Sequence, residues 1–176
     1  MLDAQDDKLL LLSRYGLDAQ PYNMKNESVT WKCCTLRTWL NETFINAAFS
    51  SEEQQCILLT DVKNVDRYTY GCNTQDKVFL LSYEEAGKYF ASDDARMCAP
   101  TDYAVAQGAS QHGDYKVGDG LYICLWWLRS PGSGLHMCYV DSKGSKHSVL
   151  HNGGFRSNYY RYCVRPALWV DLQALE

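Results

Sequence analysis

The chain lacks any apolar run long enough to cross a bilayer; the longest near its beginning is the four leucines of residues 9–12. Its first residues do not combine a basic stretch, an apolar core and a small-residue cleavage site, so no signal peptide is read there. A soluble chain is expected, with its host compartment left open and display on a cell or virion surface compatible. No long basic run occurs and the net charge is -4, which argues against nonspecific binding to nucleic acid or to an anionic membrane surface. Proline is scarce, at 4 residues, and there is no linker-like stretch and no repeat. Residues 1–176 are therefore read as one domain with a sizeable core. Among the 8 cysteines there is no C-x-x-C and no Cys/His spacing of a zinc module. The adjacent Cys33 and Cys34 suit a disulfide framework poorly, and a chain of this length can build a core without staples. Buried thiols are the favoured reading, while the even count keeps disulfides open.

What is present is periodic. Residues 9–15 read as a buried strand ending near Gly16. Leu36, Trp39, Leu40, Phe44 and Ala47 or Ala48 recur at three- and four-residue steps, which predicts one helix over 29–49 with Thr30 as its cap. A helical turn is expected at 51–55 and a strand at 57–62. The polar stretch 63–76 reads as a loop and 78–81 as a short buried strand. Ser82 and Glu85 form the S-x-x-E of a capping box opening a helix to about Phe90. Another helix is expected from Thr101 to Gln107, ended by Gly108, followed by a glycine-rich loop over 110–120. From there the pattern is β: strands at 122–129, 137–141 and 145–149, the last two around a Ser142-Lys143-Gly144 turn, a turn at Asn152-Gly153-Gly154, and a strand at 164–170 in which Pro166 implies an edge or bulge. The class is α+β, with two or three helices around a small antiparallel sheet and a C-terminal β meander.

The most telling contrast lies in the last quarter. Trp126-Trp127-Leu128-Arg129-Ser130-Pro131-Gly132 and Cys163-Val164-Arg165-Pro166-Ala167-Leu168-Trp169 read as buried scaffold, while residues 133–162 are rich in Tyr, His, Ser, Gly, Asn and Arg and nearly free of acid. Tyrosine gives broad amphipathic contact at low entropic cost, and Ser, Gly and Asn adapt their hydrogen bonds. That composition suits recognition before catalysis. The candidate ligand-binding residues are Leu135, His136, Tyr139, Asp141, His147, Leu150, His151, Phe155, Ser157, Asn158, Tyr159, Tyr160, Arg161 and Tyr162. Tyr159, Tyr160, Arg161 and Tyr162 make the densest contact-capable cluster, although strand alternation would turn about half of them inward. Trp126, Trp127, Arg129, Arg165 and Trp169 are assigned to the scaffold, the two arginines as guanidinium groups stacked on tryptophan and bonded to strand-end carbonyls. Adjacent Trp126 and Trp127 must point to opposite faces, and one of them could floor the binding surface.

Chemical alternatives are weaker. Cys138 lies two residues from His136, and Cys163 lies between Arg161 and Arg165, so either thiol could be activated, but structural thiols are favoured. His147 and His151 have a helical metal-binding spacing in a stretch that reads as strand and turn, where they would stand about 13 Å apart. The loop at 114–119 lacks the regular acidic spacing of a calcium site. No metal or other cofactor is expected.

Trp126-Trp127-Leu128-Arg129-Ser130-Pro131-Gly132 followed by Val164-Arg165-Pro166-Ala167-Leu168-Trp169 resembles the signature of a bacterial domain family of undefined function. Leu11-Leu12-Ser13-Arg14-Tyr15, Leu36-Arg37-Thr38-Trp39-Leu40-Asn41 and Asp76-Lys77-Val78-Phe79-Leu80-Leu81-Ser82 extend the resemblance over nearly the whole chain. That family is similar to the C-type-lectin fold of formylglycine-generating enzymes and of the variable proteins of diversity-generating retroelements. The second similarity implies a scaffold of residues 1–132 and 164–176 carrying a variable segment at 133–163, rewritten through adenine-directed mutagenesis. Such rewriting of Asn codons cannot yield Glu, Gln, Trp, Met or Lys, and within 133–163 only Met137, Lys143 and Lys146 fall outside its reach. The implied function is ligand binding, with a protein or cell-surface molecule as partner and no enzymatic activity. An ordinary Tyr-rich meander explains the same composition. The first similarity implies instead a metal-dependent oxidase using a cysteine pair and copper, and a structural module of a surface or phage-fibre assembly is a third reading.

Overall fold

The structure, a computed structural model, describes residues 1–64, 72–116, 120–132, 135–148, 158 and 162–175, those of 112–116 and 175 by backbone alone. A hairpin comes first: β1 (Asp3–Gln5) and β2 (Lys8–Leu12) pair antiparallel around a turn in which Asp6 takes a left-handed φ of 50°. A short polar side chain tolerates that conformation better than most. The strand expected at 9–15 thus ends at Leu12, and β3 (Asp18–Ala19) joins another sheet.

The single helix expected over 29–49 is divided. Thr30 caps a 3-10 turn at Trp31–Cys33, and then follow α1 (Thr35–Trp39), a π turn (Leu40–Phe44) and α2 (Ile45–Ala48). A π turn inserts an extra residue. The buried stripe therefore steps Leu36, Leu40, Ile45, while Phe44 is half-buried and Ala47 and Ala48 are exposed. α3 (Ser51–Cys56) opens on a complete capping box: the Ser50 hydroxyl accepts from the Glu53 N–H at 3.2 Å, and the Glu53 carboxylate accepts from the Ser50 N–H at 2.7 Å.

β4 (Thr60–Val62) and β5 (Thr74–Asp76) pair antiparallel. Val78, Phe79, Leu80 and Leu81 are buried as expected, but only Phe79 forms a bridge, to Ala167. α4 (Tyr83–Lys88) carries the second capping box, with Ser82 Oγ accepting from the Glu85 N–H at 3.0 Å and Glu85 Oε2 accepting from the Ser82 N–H at 2.9 Å. α5 (Asp93–Arg96), capped by Ser92, has no counterpart in the sequence reading, whereas α6 (Asp102–Ala106) has its Thr101 cap and ends at Gly108 with φ 98°.

The loop expected at 110–120 contains β6 (His112–Lys116), paired with β7 (Tyr122–Ile123). β8 (Trp126–Pro131), β9 (Met137–Val140), β10 (Lys146–His147), β11 (Cys163–Val164) and β12 (Ala167–Asp171) complete the fold. The expected strands at 122–129 and 164–170 are each divided between two sheets. In the second, Pro166 has no N–H to continue a ladder, and the chain crosses there from β11 to β12. The five-stranded sheet runs β10-β9-β8-β11-β3, the three-stranded sheet β1-β2-β12. Short helices and several small, mostly antiparallel sheets make an α+β domain. No described helix is long and apolar enough to cross a membrane.

Trp31, Trp126, Trp127 and Tyr22 are fully buried at the centre. Tyr22 meets Trp127 edge-on at 5.9 Å and donates its hydroxyl to the Arg129 carbonyl at 2.6 Å, while the Trp31 indole N–H donates to Asp76 at 2.9 Å. Trp39 and Trp169, also expected in the core, are only partly buried against it.

Candidate binding face

Paired positions on neighbouring strands put their side chains on one face of a sheet. In the five-stranded sheet Trp127 stands opposite Tyr139, and Tyr139 opposite His147. Tyr162, just before β11, completes the arrangement: its ring lies 4.5 Å from Trp127 and 5.0 Å from Tyr139, and Tyr139 stacks on His147 at 4.9 Å with the planes 11° apart. Exposure rises along the row, from 0% at Trp127 through 1% at Tyr162 and 8% at Tyr139 to 43% for the side chain of His147. The aromatic ladder thus starts in the core and surfaces on the edge strand.

The outer end is fixed by the β9–β10 turn. His147 Nε2 lies 2.7 Å from Asp141 Oδ2, and Asp141 Oδ1 accepts the N–H groups of Lys143 at 2.8 Å and Ser145 at 2.9 Å. Gly144 takes φ 76°, and a side chain there would run into the Asp93 carbonyl, so this turn requires glycine on two counts. Arg96 donates to the Gly144 carbonyl at 2.8 Å, and the Ser145 hydroxyl donates to Asp93 at 2.7 Å. Lys146, on the opposite face from His147, donates to the Tyr83 carbonyl at 3.0 Å with its ammonium over the Tyr83 ring at 4.2 Å. Burial, with the nearby Arg96 charge, holds that ammonium below its ordinary pKa, although Glu84 and Asp93 pull the other way. One face of the hairpin is thereby bolted to α4 and α5, and the other carries His147.

Tyr139 and Tyr162 correct the sequence reading. Both are among the candidate ligand-binding residues, and both are buried, because Trp127 beneath and the neighbouring strand position make them the packing layer under the surface. Leu135, His136, Asp141 and His147 are half-buried, and Asn158 is exposed. Leu150, His151, Phe155, Ser157, Tyr159, Tyr160 and Arg161 lie outside the described residues, and so does the turn at 152–154. The possible His147–His151 metal pair therefore stays with the sequence, as do the acidic side chains of 114–119. Among the described residues no group of three His, Cys, Asp or Glu side chains is gathered as a metal site.

The adjacent tryptophans do point oppositely, and both are buried. Trp127 donates to the Gln20 carbonyl at 2.9 Å, and Trp126 donates to the Arg96 carbonyl at 3.1 Å beneath the Arg165 guanidinium, 5.0 Å from its ring. Arg129 is wholly occupied. It donates to the carbonyls of Leu80 at 2.8 Å and Lys63 at 3.0 Å and to Asn64 Oδ1 at 3.2 Å, and it grips Glu85 with both terminal nitrogens, one of them at 2.8 Å. Its aromatic neighbour is Phe79, 5.9 Å away, rather than a tryptophan. Neither arginine presents a guanidinium to a ligand.

None of the eight cysteines is in a disulfide; Cys33 and Cys72 are exposed and the other six buried. The Cys98 thiol is held below its ordinary pKa. A hydrogen bond from Cys124 outweighs burial, and the Arg165 charge helps. No short-range spacing signals it, because its partners are 26 and 67 residues away. An open cavity of about 380 Å³ is lined by Leu11, Phe44, Phe49, Leu168 and Val170, with Glu53 the one charged residue among its described lining.

The segment 133–162 follows β8, contributes β9 and β10 to the same sheet, and ends at β11, which is the other neighbour of β8: Cys163 pairs in parallel with Trp126, the first residue of β8. Both ends of the segment thus adjoin buried strands of one sheet. No curated protein and no solved structure matches the chain. Residues 6–172 match the family described as a domain of unknown function, DUF6273, and over nearly its whole length the chain belongs to that family.

Proposed function

We propose that this is a non-enzymatic binding domain of C-type-lectin-like architecture, whose ligand face is carried by residues 133–162 and diversified by a retroelement. The observation that carries the reading is the shared frame of β8 and β11. A segment whose two ends are held on adjacent buried strands can change its exposed side chains without loosening the core, the condition under which a scaffold tolerates a variable surface. The aromatic ladder supports it from below, since Trp127 and Tyr162 give the outer residues a rigid floor. A broad Tyr/His/Ser/Asn surface suits a protein or cell-surface ligand better than a small molecule in a deep pocket.

Sequencing of the flanking DNA and of many copies of the coding region tests this. A reverse-transcriptase gene and a near-copy of the segment coding for 133–162 are expected nearby. Substitutions should fall at adenines and concentrate at positions such as His136, Asp141, His147, Tyr159 and Tyr160, while Trp126, Trp127, Arg129 and Arg165 stay constant. Variation spread evenly over the chain, with no template copy, would remove the proposal.

A further inference from the structure

Cys98 and Cys124 form an isolated antiparallel bridge, with the Cys124 N–H donating to the Cys98 carbonyl at 2.8 Å. Residues directly opposite in an antiparallel pair have Cα atoms about 4.5–5.5 Å apart, inside the range a disulfide spans. The Cys124 thiol turns back toward Cys98, its sulfur 3.3 Å from the Cys98 carbonyl oxygen. Cys163 closes the cluster: a side-chain carbon on Gly16 would lie 2.7 Å from the Cys163 sulfur and 3.1 Å from that of Cys124. Gly16 is therefore the residue that leaves room for converging thiols.

Arg165 lies beside the two thiols. It is buried, donates to the carbonyls of Ser13 at 2.9 Å and Arg96 at 3.4 Å, and lies over Trp126 and Phe90. Among the described residues no carboxylate pairs with it. A buried cation strongly favours an anion beside it, and the neighbouring groups that can become anionic are the thiols of Cys98 and Cys124. The two differ. Cys98 is held below its ordinary pKa, whereas burial pushes Cys124 far up. Cys98 is thus the more readily ionised of the two.

We propose that Cys98 and Cys124 are a redox-active pair that hydrogen peroxide converts to a disulfide. The Cys98 thiolate attacks one peroxide oxygen; the O–O bond breaks, and Cys98 sulfenic acid and hydroxide form. The Cys124 sulfur then displaces the sulfenic oxygen, which leaves as water with the Cys124 proton. Two thiols lose two electrons and two protons, and one peroxide becomes two waters. Both sulfurs are buried, so local opening sets the rate, and a peroxide is small enough to enter where a protein oxidant is not.

The test is direct on the full, reduced chain. It is treated with hydrogen peroxide, the remaining thiols are alkylated, and the tryptic peptides are mapped without reduction. Cys98 and Cys124 fall in separate peptides, since Lys116 lies between them, and Cys163 falls in a third. The expected product is the 98–124 cross-linked pair, with Cys34, whose thiol burial raises to about 12, still alkylated as a free thiol. In a Cys124→Ser variant the cross-link should vanish and Cys98 should be trapped by a sulfenic-acid probe. If that variant fails to fold, the map of the unmodified chain still decides. Oxidation confined to the exposed Cys33 and Cys72, or a 124–163 link with Cys98 untouched, would overturn the assignment.

Discussion

Replacing Arg129 with Met is expected to destabilise the protein by about 3–5 kcal/mol, the usual cost of removing one partner of a buried ion pair. The guanidinium joins Glu85 on α4 to the carbonyls of Leu80 and Lys63 and to Asn64, so the loss leaves several polar groups unpaired at once. For a chain of this size about 2–4 °C of melting temperature goes with each kcal/mol, so a fall of roughly 6–20 °C should be seen by calorimetry. A change under a few degrees would show that α4 is held by its apolar contacts alone. The same pair sets an acid limb. Burial pushes the Glu85 carboxyl up, but the Arg129 hydrogen bonds and charge, with the Ser82 N–H, outweigh it and leave the folded pKa below the ordinary value. A lowered folded pKa means that this contribution is complete above the unfolded value, about 4.3 for Glu, and is lost as pH falls through the folded one. Glu85→Gln keeps the capping box, which accepts Gln. It should be less stable than the parent at neutral pH and lose less stability between pH 5 and pH 2, as read from denaturant midpoints.

Tyr162→Ala should cost about 3–5 kcal/mol, as for other large buried aromatics, because its ring fills the layer between Trp127 and Tyr139. Tyr159→Ser and Tyr160→Ser, if those side chains face outward as proposed, should shift stability by no more than about 0.5 kcal/mol. Three neighbouring tyrosines would then separate into one that builds the floor and two that offer themselves to a ligand. Equal, large destabilisation by all three would assign the whole cluster to the core and leave the proposed face without its densest patch.

Local signals were legible wherever the chemistry closes within a few residues. The Ser82–Glu85 box, the Thr101 cap with Gly108, and the Ser142-Lys143-Gly144 turn each satisfy their own backbone groups, so tertiary contacts had little to add. Periodicity over 29–49 marks the stretch as helical but does not show that it is divided. The π turn brings Ile45 into the buried stripe, and no local residue announces it. In the strand at 164–170 Pro166 implies an edge or bulge, but not that the two halves belong to different sheets.

For the candidate site the division is sharper. Composition by itself marked 133–162 as chemically unlike its Trp- and Arg-rich flanks, since side-chain chemistry belongs to each residue alone. That Tyr139 and Tyr162 are buried, that β8 and β11 lie side by side, and that Cys98 stands opposite Cys124 near Arg165 were decided by tertiary structure. Those relations join residues tens of positions apart, and only the packing of the whole chain sets the distances on which burial, charge and thiol chemistry depend.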